Sequence, residues 1–114
     1  MEIQQAIDFI SSYPREFIPS SVFGFRVAAN RRQVWGLDWG EAEISNIRLT
    51  ELTMWHNSLN KKKLLFRLNN MDALDMPHIL LDIHGQFLIQ DGNHRVACLS
   101  ILGERIAPCR VLII

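Results

Sequence analysis

The stretch IQDGNHRVACLSILG, residues 89–103, constrains this chain more than any other. Five consecutive polar or turn-forming residues, Asp91, Gly92, Asn93, His94 and Arg95, stand immediately before an apolar run. Within that run Val96, Ala97, Leu99, Ile101 and Leu102 cover most of the circumference of a helix. Such a helix must be surrounded on nearly all sides, so the rest of the chain has to wrap it and leave only its N-terminus facing solvent. Gly103 follows as a left-handed C-terminal cap. The pattern predicts a central buried helix over about residues 94–102, with Asn93 as its N-cap.

The wrapping elements are legible in outline. HILLDIHGQFLIQDG predicts a β-hairpin in which Ile79, Leu81 and Ile83 alternate, His84-Gly85 supplies the turn and residues 87–89 return. APCRVLII predicts a closing strand. EISNIRLTEL predicts a strand with Ile47 and Leu49 on one face, and residues 57–74 a helix with Leu59, Leu64, Leu65 and Leu68 as its apolar stripe. An amphipathic helix over residues 2–12 carries Ile3, Ala6, Ile7 and Ile10 and ends before Pro14. Between residues 14 and 43, VFGFRVA and QVWGLDW suggest short strands or an ordered loop. The fold class expected is α+β: one domain over residues 1–114, with a mixed-sheet core over residues 44–114 preceded by an extension over residues 1–43.

Composition narrows the functional classes. Twelve basic and twelve acidic residues give a net charge of +0, so no global field draws the chain to nucleic acid or a membrane surface. No run of roughly 18 apolar residues predicts a membrane span. The N-terminus, with Glu2 and Asp8, lacks the basic start and apolar block of a secretory signal. Cys98 and Cys109 both lie in apolar surroundings, as expected of reduced, buried thiols in a cytoplasmic protein.

A helix N-terminus offers unpaired N–H groups and about half a positive charge. Gly92 lets a ligand approach the backbone, Arg95 supplies a permanently charged fork, and His94 can donate a hydrogen bond. These are the parts of an anion site, phosphate above all. They are equally the parts of an ordinary turn, because Asp-Gly is a common turn dipeptide and Asn a common cap.

The segment LIQDGNHRVACLSILGERIAPCRVLI resembles the signature of the ParB/sulfiredoxin superfamily: a strand, a D-G-x-H-R turn, a buried helix, Leu-Gly, and a strand after a proline. MPHILLDIHGQFLIQDG is similar to the hairpin of that superfamily, and the likeness spans about residues 44–114. It implies a ParB/sulfiredoxin-like fold in a prokaryotic protein, with a nucleotide such as ATP, ADP or CTP held by its phosphates. The binding role falls on Gly92, Asn93, His94 and Arg95, with Asp91 orienting the turn or approaching the Mg²⁺ that accompanies the nucleotide. Asp91 and His94 are the catalytic candidates for phosphoryl transfer or nucleotide hydrolysis. The sulfiredoxin nucleophile is a Cys directly before His-Arg, where this chain has Asn93, so thiol-based sulfinic acid reduction is not implied. The chain is also too short for the DNA-binding and dimerisation regions of full partition proteins. Some relatives are small-molecule kinases with a carboxylate base, a role open to Asp38, Glu41 or Glu43.

Other constellations point less clearly. His94 and Cys98 share a helical face, with His78 and His84 upstream, but without the paired spacing of a zinc site. NKKKLLFR, with Arg31 and Arg32, could meet a nucleic-acid backbone or simply be a solvated face. Trp35, Trp39 and Trp55 suggest either core or a protein-docking surface in the aromatic N-terminal region. The competing expectation is therefore a non-catalytic interaction or DNA-maintenance module that retains the same fold.

Overall fold

A computed structural model of the chain describes residues 1–28, 34, 36–71 and 75–114. Its three helices, among the described residues, are α1 (Ile3–Ser12), α2 (Lys61–Leu68) and α3 (Asn93–Ile101). The strands are β1 (Phe17–Pro19), β2 (Arg26–Val27), β3 (Glu43–Arg48), β4 (Leu52–Met54), β5 (Ser58–Asn60), β6 (His78–Leu81), β7 (Phe87–Asp91) and β8 (Ile106–Ile113). Six strands form one sheet in the order β2-β4-β7-β6-β8-β3. The β2–β4, β4–β7 and β6–β8 pairs are parallel, while β6–β7 and β3–β8 are antiparallel. β1 and β5 form a separate antiparallel ribbon. The protein is a single mixed α+β domain.

The three helices share one core with the sheet. Ala6 and Ile10 of α1, Leu64 and Leu68 of α2, and Val96, Ala97 and Cys98 of α3 pack with Ile47, Ile79, Ile89, Ala107 and Cys109. A smaller cluster of Trp55, Leu80 and Leu88 lies apart from it, with Ala28, Val34, Leu37, Trp39 and Leu112 packed on it. β6 contributes Ile79 to the first cluster and Leu80 to the second, so consecutive side chains serve opposite faces. Residues 1–28 are thus built into the domain: α1 enters the core, β1 pairs with β5 and β2 pairs with β4.

Several expectations need correction. Leu59 lies in β5, because Asn60 caps α2 by accepting from the N–H of Lys63 at 3.0 Å and the helix starts at Lys61. At its other end α2 stops at Leu68, where the side-chain amides of Asn69 and Asn70 donate to the carbonyls of Leu65 and Phe66. Of the rest of the predicted helix, residues 69–71 form a turn and residues 72–74 lie outside the described residues. EISNIRLTEL divides into β3, a 3₁₀ turn at Leu49–Glu51 and the start of β4. The hairpin turn is longer than His84-Gly85. The Asp82 carboxylate accepts from the N–H groups of His84 and Gln86, which closes a five-residue loop and leaves Ile83 86% exposed rather than in a strand. VFGFRVA yields only the two residues of β2, and QVWGLDW falls partly outside the described residues.

The helix predicted after the polar cluster starts one residue early. Gly92, not Asn93, is the N-cap of α3; its φ of 97° is left-handed, and Asn93 is already helical and buried. At the other end Gly103, φ 88°, donates to Ser100 while Glu104 donates to Leu99, forming a Schellman cap.

The two glycines differ in surroundings. A Cβ on Gly92 would sit 3.0 Å from Cα of Pro77, whereas one on Gly103 would meet nothing within 4 Å. Gly103→Ala is expected to cost about 1 kcal/mol, from the backbone alone. Gly92→Ala adds a collision with buried backbone and is expected to cost about 2–3 kcal/mol. Denaturant unfolding of the two variants measures the difference.

Candidate functional site

α3 leaves the sheet at the end of β7 and directs its N-terminus into a cleft of about 370 Å³. All five residues of the polar cluster line this cleft. Opposite them stand Lys63, Phe66 and Arg67 on one face of α2, with His56 beside them. Gln90, the penultimate residue of β7, completes the wall.

Two helix N-termini are tied together here. The N–H of Asn60, the cap of α2, donates to His94 Nε2 at 3.1 Å. That bond makes Nε2 an acceptor and places the proton of the neutral imidazole on Nδ1. The His94 pKa is pushed down to about 4, first by burial and then by the nearby charges of Lys63, His56 and Arg67. His94 is therefore a neutral spacer between the two helices at ordinary pH.

Positive charge gathers on this side of α2. The first turn of α2 consists of Lys61, Lys62 and Lys63 and contains no acidic residue, although a helix N-terminus disfavours cations. Lys61 escapes by donating from Nζ to the Tyr13 carbonyl, at the C-terminal end of α1, at 2.8 Å. Lys63 stays in the cleft with Arg67 and Arg95. α3 contributes its own N-terminal dipole, and no side chain caps it.

Among the described residues, the carboxylates near these cations are Asp75 and Asp91. Asp75 lies 2.6 Å from Arg67 Nη1 and 3.6 Å from Arg95 Nη1, bridging the two guanidinium groups. Desolvation raises the Asp75 pKa, but hydrogen bonding and charge from Arg67, its own backbone and Arg95 outweigh it and leave the group below the ordinary carboxylate value. Arg95 Nη1 is buried and, among the described residues, makes this long ionic contact without a hydrogen bond. Asp91 accepts the N–H of Gly92 at 2.9 Å, so it orients the turn, and that amide is not left for a ligand.

Two buried acceptors also lack partners: Oε1 of Gln90 and Oδ1 of Asn93, the latter on a residue only 6% exposed. Both residues line the cleft. An unpartnered buried carbonyl oxygen is costly and is normally satisfied by a donor such as an ordered water.

The remaining candidates lie elsewhere. Asp38, which accepts from the Gly40 N–H, Glu41 and Glu43 are not among the cleft residues. Cys98 is fully buried and its Sγ donates to the Leu64 carbonyl; burial pushes its pKa up to about 12. Cys109 is likewise buried, unpaired and pushed up to about 11. Among the described residues no group of three His, Cys, Asp or Glu could hold a metal ion. Trp39 is half-buried and stacks on His78 with ring centroids 4.4 Å apart, and Trp55 is buried. Trp35, Arg31 and Arg32 fall outside the described residues. Among the described residues, no helix is long and apolar enough to cross a membrane.

Sequence reasoning treated Lys63 and Arg67 as one face of a basic run and passed over His56, Phe66 and Gln90. The signal for the first two was their i,i+4 spacing, which puts them on one side of α2. The sequence matches no family model, and no curated protein matches it significantly.

The His94 environment sets a pH dependence. In the unfolded chain His94 protonates near the ordinary histidine value of 6.5, while the folded residue resists until about pH 4. Its contribution therefore makes stability fall as pH drops through that window, by up to about 3 kcal/mol, and is absent above it. Thermal unfolding of wild type and His94→Gln at pH 4–7 is expected to show a shallower acid decline in the variant.

Proposed function

We propose that this chain is a nucleotide-binding domain of the ParB/sulfiredoxin-like kind, holding the phosphates of a nucleoside phosphate in the cleft between the N-termini of α2 and α3. The observation that carries this reading is the concentration of Lys63, Arg67, Arg95 and two helix N-termini around one small cavity, against the local preference of α2 for acidic residues. An anion relieves that repulsion, and phosphate suits guanidinium forks and helix N-termini alike. The strand, turn, buried helix and closing strand formed by β7, residues 91–92, α3 and β8 support the proposed fold kinship. Unbridged, buried Cys98 and Cys109 suit the bacterial cytoplasm in which we place the protein.

The cleft also suits a phosphate-borne Mg²⁺, which prefers oxygen ligands and keeps several waters. Asp91 offers a carboxylate, and the unpartnered carbonyls of Gln90 and Asn93 offer acceptors for bound water. When bound, Mg²⁺ would neutralise phosphate charge. The reaction class proposed is phosphoryl transfer or nucleotide hydrolysis, with Asp91 as the carboxylate in the cleft lining. His94, with Nε2 engaged and its basicity suppressed, serves position rather than proton transfer. A thiol mechanism has no support, because Asn93 stands at the turn and Cys98 is sealed in the core.

Calorimetric titration of ATP, ADP and CTP, each with Mg²⁺, tests the reading. Arg95→Ala and Arg67→Ala are each expected to weaken binding by about 10- to 100-fold, the value of a charge-assisted hydrogen bond. Asp75→Asn, which removes the carboxylate already lying between the two arginines, is expected to tighten it severalfold. An absence of heat with all three nucleotides would refute the proposal. Phosphate release that persists undiminished in Asp91→Asn would remove Asp91 from the chemistry.

A further inference from the structure

We propose that Phe66 is the platform on which the base of the bound nucleotide stacks, so that the cleft prefers a nucleoside phosphate to an equally charged phosphate chain. This rests on the reading of the cleft as a phosphate site. Phe66 is 63% exposed, an unusual state for so large an apolar side chain. α2 turns Leu64 and Leu68 into the core, and Phe66, two positions from each, projects away from it. Core packing therefore gives no reason for an aromatic ring at this position. The ring instead borders the cleft, flanked by Lys63 three residues before and Arg67 one residue after. Phosphate-binding charge and an available π-face thus lie within a single turn of one helix.

The unpartnered acceptors fit either ligand class: phosphate oxygens at neutral pH cannot donate, so Gln90 Oε1 and the nine-tenths-buried Asn93 Oδ1 would take donors from Mg²⁺-bound water or from a nucleoside. A nucleoside carries ribose O–H and base N–H donors together with a flat ring for Phe66. The volume of about 370 Å³ is near the small end for ligand pockets, a size suited to one nucleotide.

The test compares Mg²⁺ complexes of ATP, GTP, CTP and UTP with that of inorganic tripolyphosphate, by calorimetry, on wild type, Phe66→Ala and Phe66→Trp. At least one nucleotide is expected to bind wild type about tenfold or more tighter than tripolyphosphate, the size of one base–aromatic stack. Phe66→Ala is expected to abolish that preference while leaving tripolyphosphate affinity unchanged. Phe66→Trp is expected to keep it, and the added tryptophan fluorescence to be quenched by the preferred nucleotide and not by tripolyphosphate. Circular dichroism checks that the variants remain folded, as expected for an exposed position. Equal wild-type affinity for tripolyphosphate and all four nucleotides, or a preference surviving in Phe66→Ala, overturns the platform and leaves the phosphate site standing. Binding of neither ligand class overturns both.

Discussion

The hydrogen bond from the Asn60 amide to His94 Nε2 is the contact on which the site depends. It fixes the N-terminus of α2 against the N-terminus of α3, two positive helix ends that would otherwise repel. A charged imidazole could not do this, because protonated Nε2 becomes a donor and would face a donor. Burial beside Lys63, His56 and Arg67 keeps the ring neutral, so the basic residues of the cleft also keep His94 in the protonation state this contact needs.

Around that contact the fold supplies rigidity from both sides. Gly92 lies against Pro77, which precedes β6, and no side chain fits between them. The turn is thus pressed onto the sheet and α3 leaves at a set angle. On the other wall, β1 holds β5 and Lys61 reaches the end of α1, so the N-terminal region anchors α2. Ser20 is fully buried; its N–H donates to the Asn57 carbonyl and its hydroxyl to the His56 carbonyl, which secures the loop presenting His56. α1, β1 and Ser20 act on the site indirectly, through the elements they brace.

Legibility from sequence followed the range of the interactions involved. The amphipathic spacing of α1, the apolar run of α3 and the Gly103 cap depend on neighbours within about one turn, and each was visible. The start of α2 was misplaced because Leu59 continues the helical spacing, while the cap at Asn60 decides the boundary. Ile83 continued the alternation of β6, yet Asp82 captured two amides and diverted the chain. In each case a short polar side chain overrode an apolar pattern by satisfying the backbone first.

The sequence by itself determined that a helix apolar on most sides would be enclosed in an α+β domain, and that its polar N-terminal turn would reach the surface. It also determined that no thiol stands at that turn. Only the tertiary structure decided that the turn faces Lys63, Phe66 and Arg67, which lie some thirty residues earlier in the chain. It decided too that Asp75 bridges two arginines and that His94 serves as an acceptor. The physical reason is that charge and hydrogen bonding act through space over a few ångströms, while the patterns written along a chain describe only how each element buries its own apolar face.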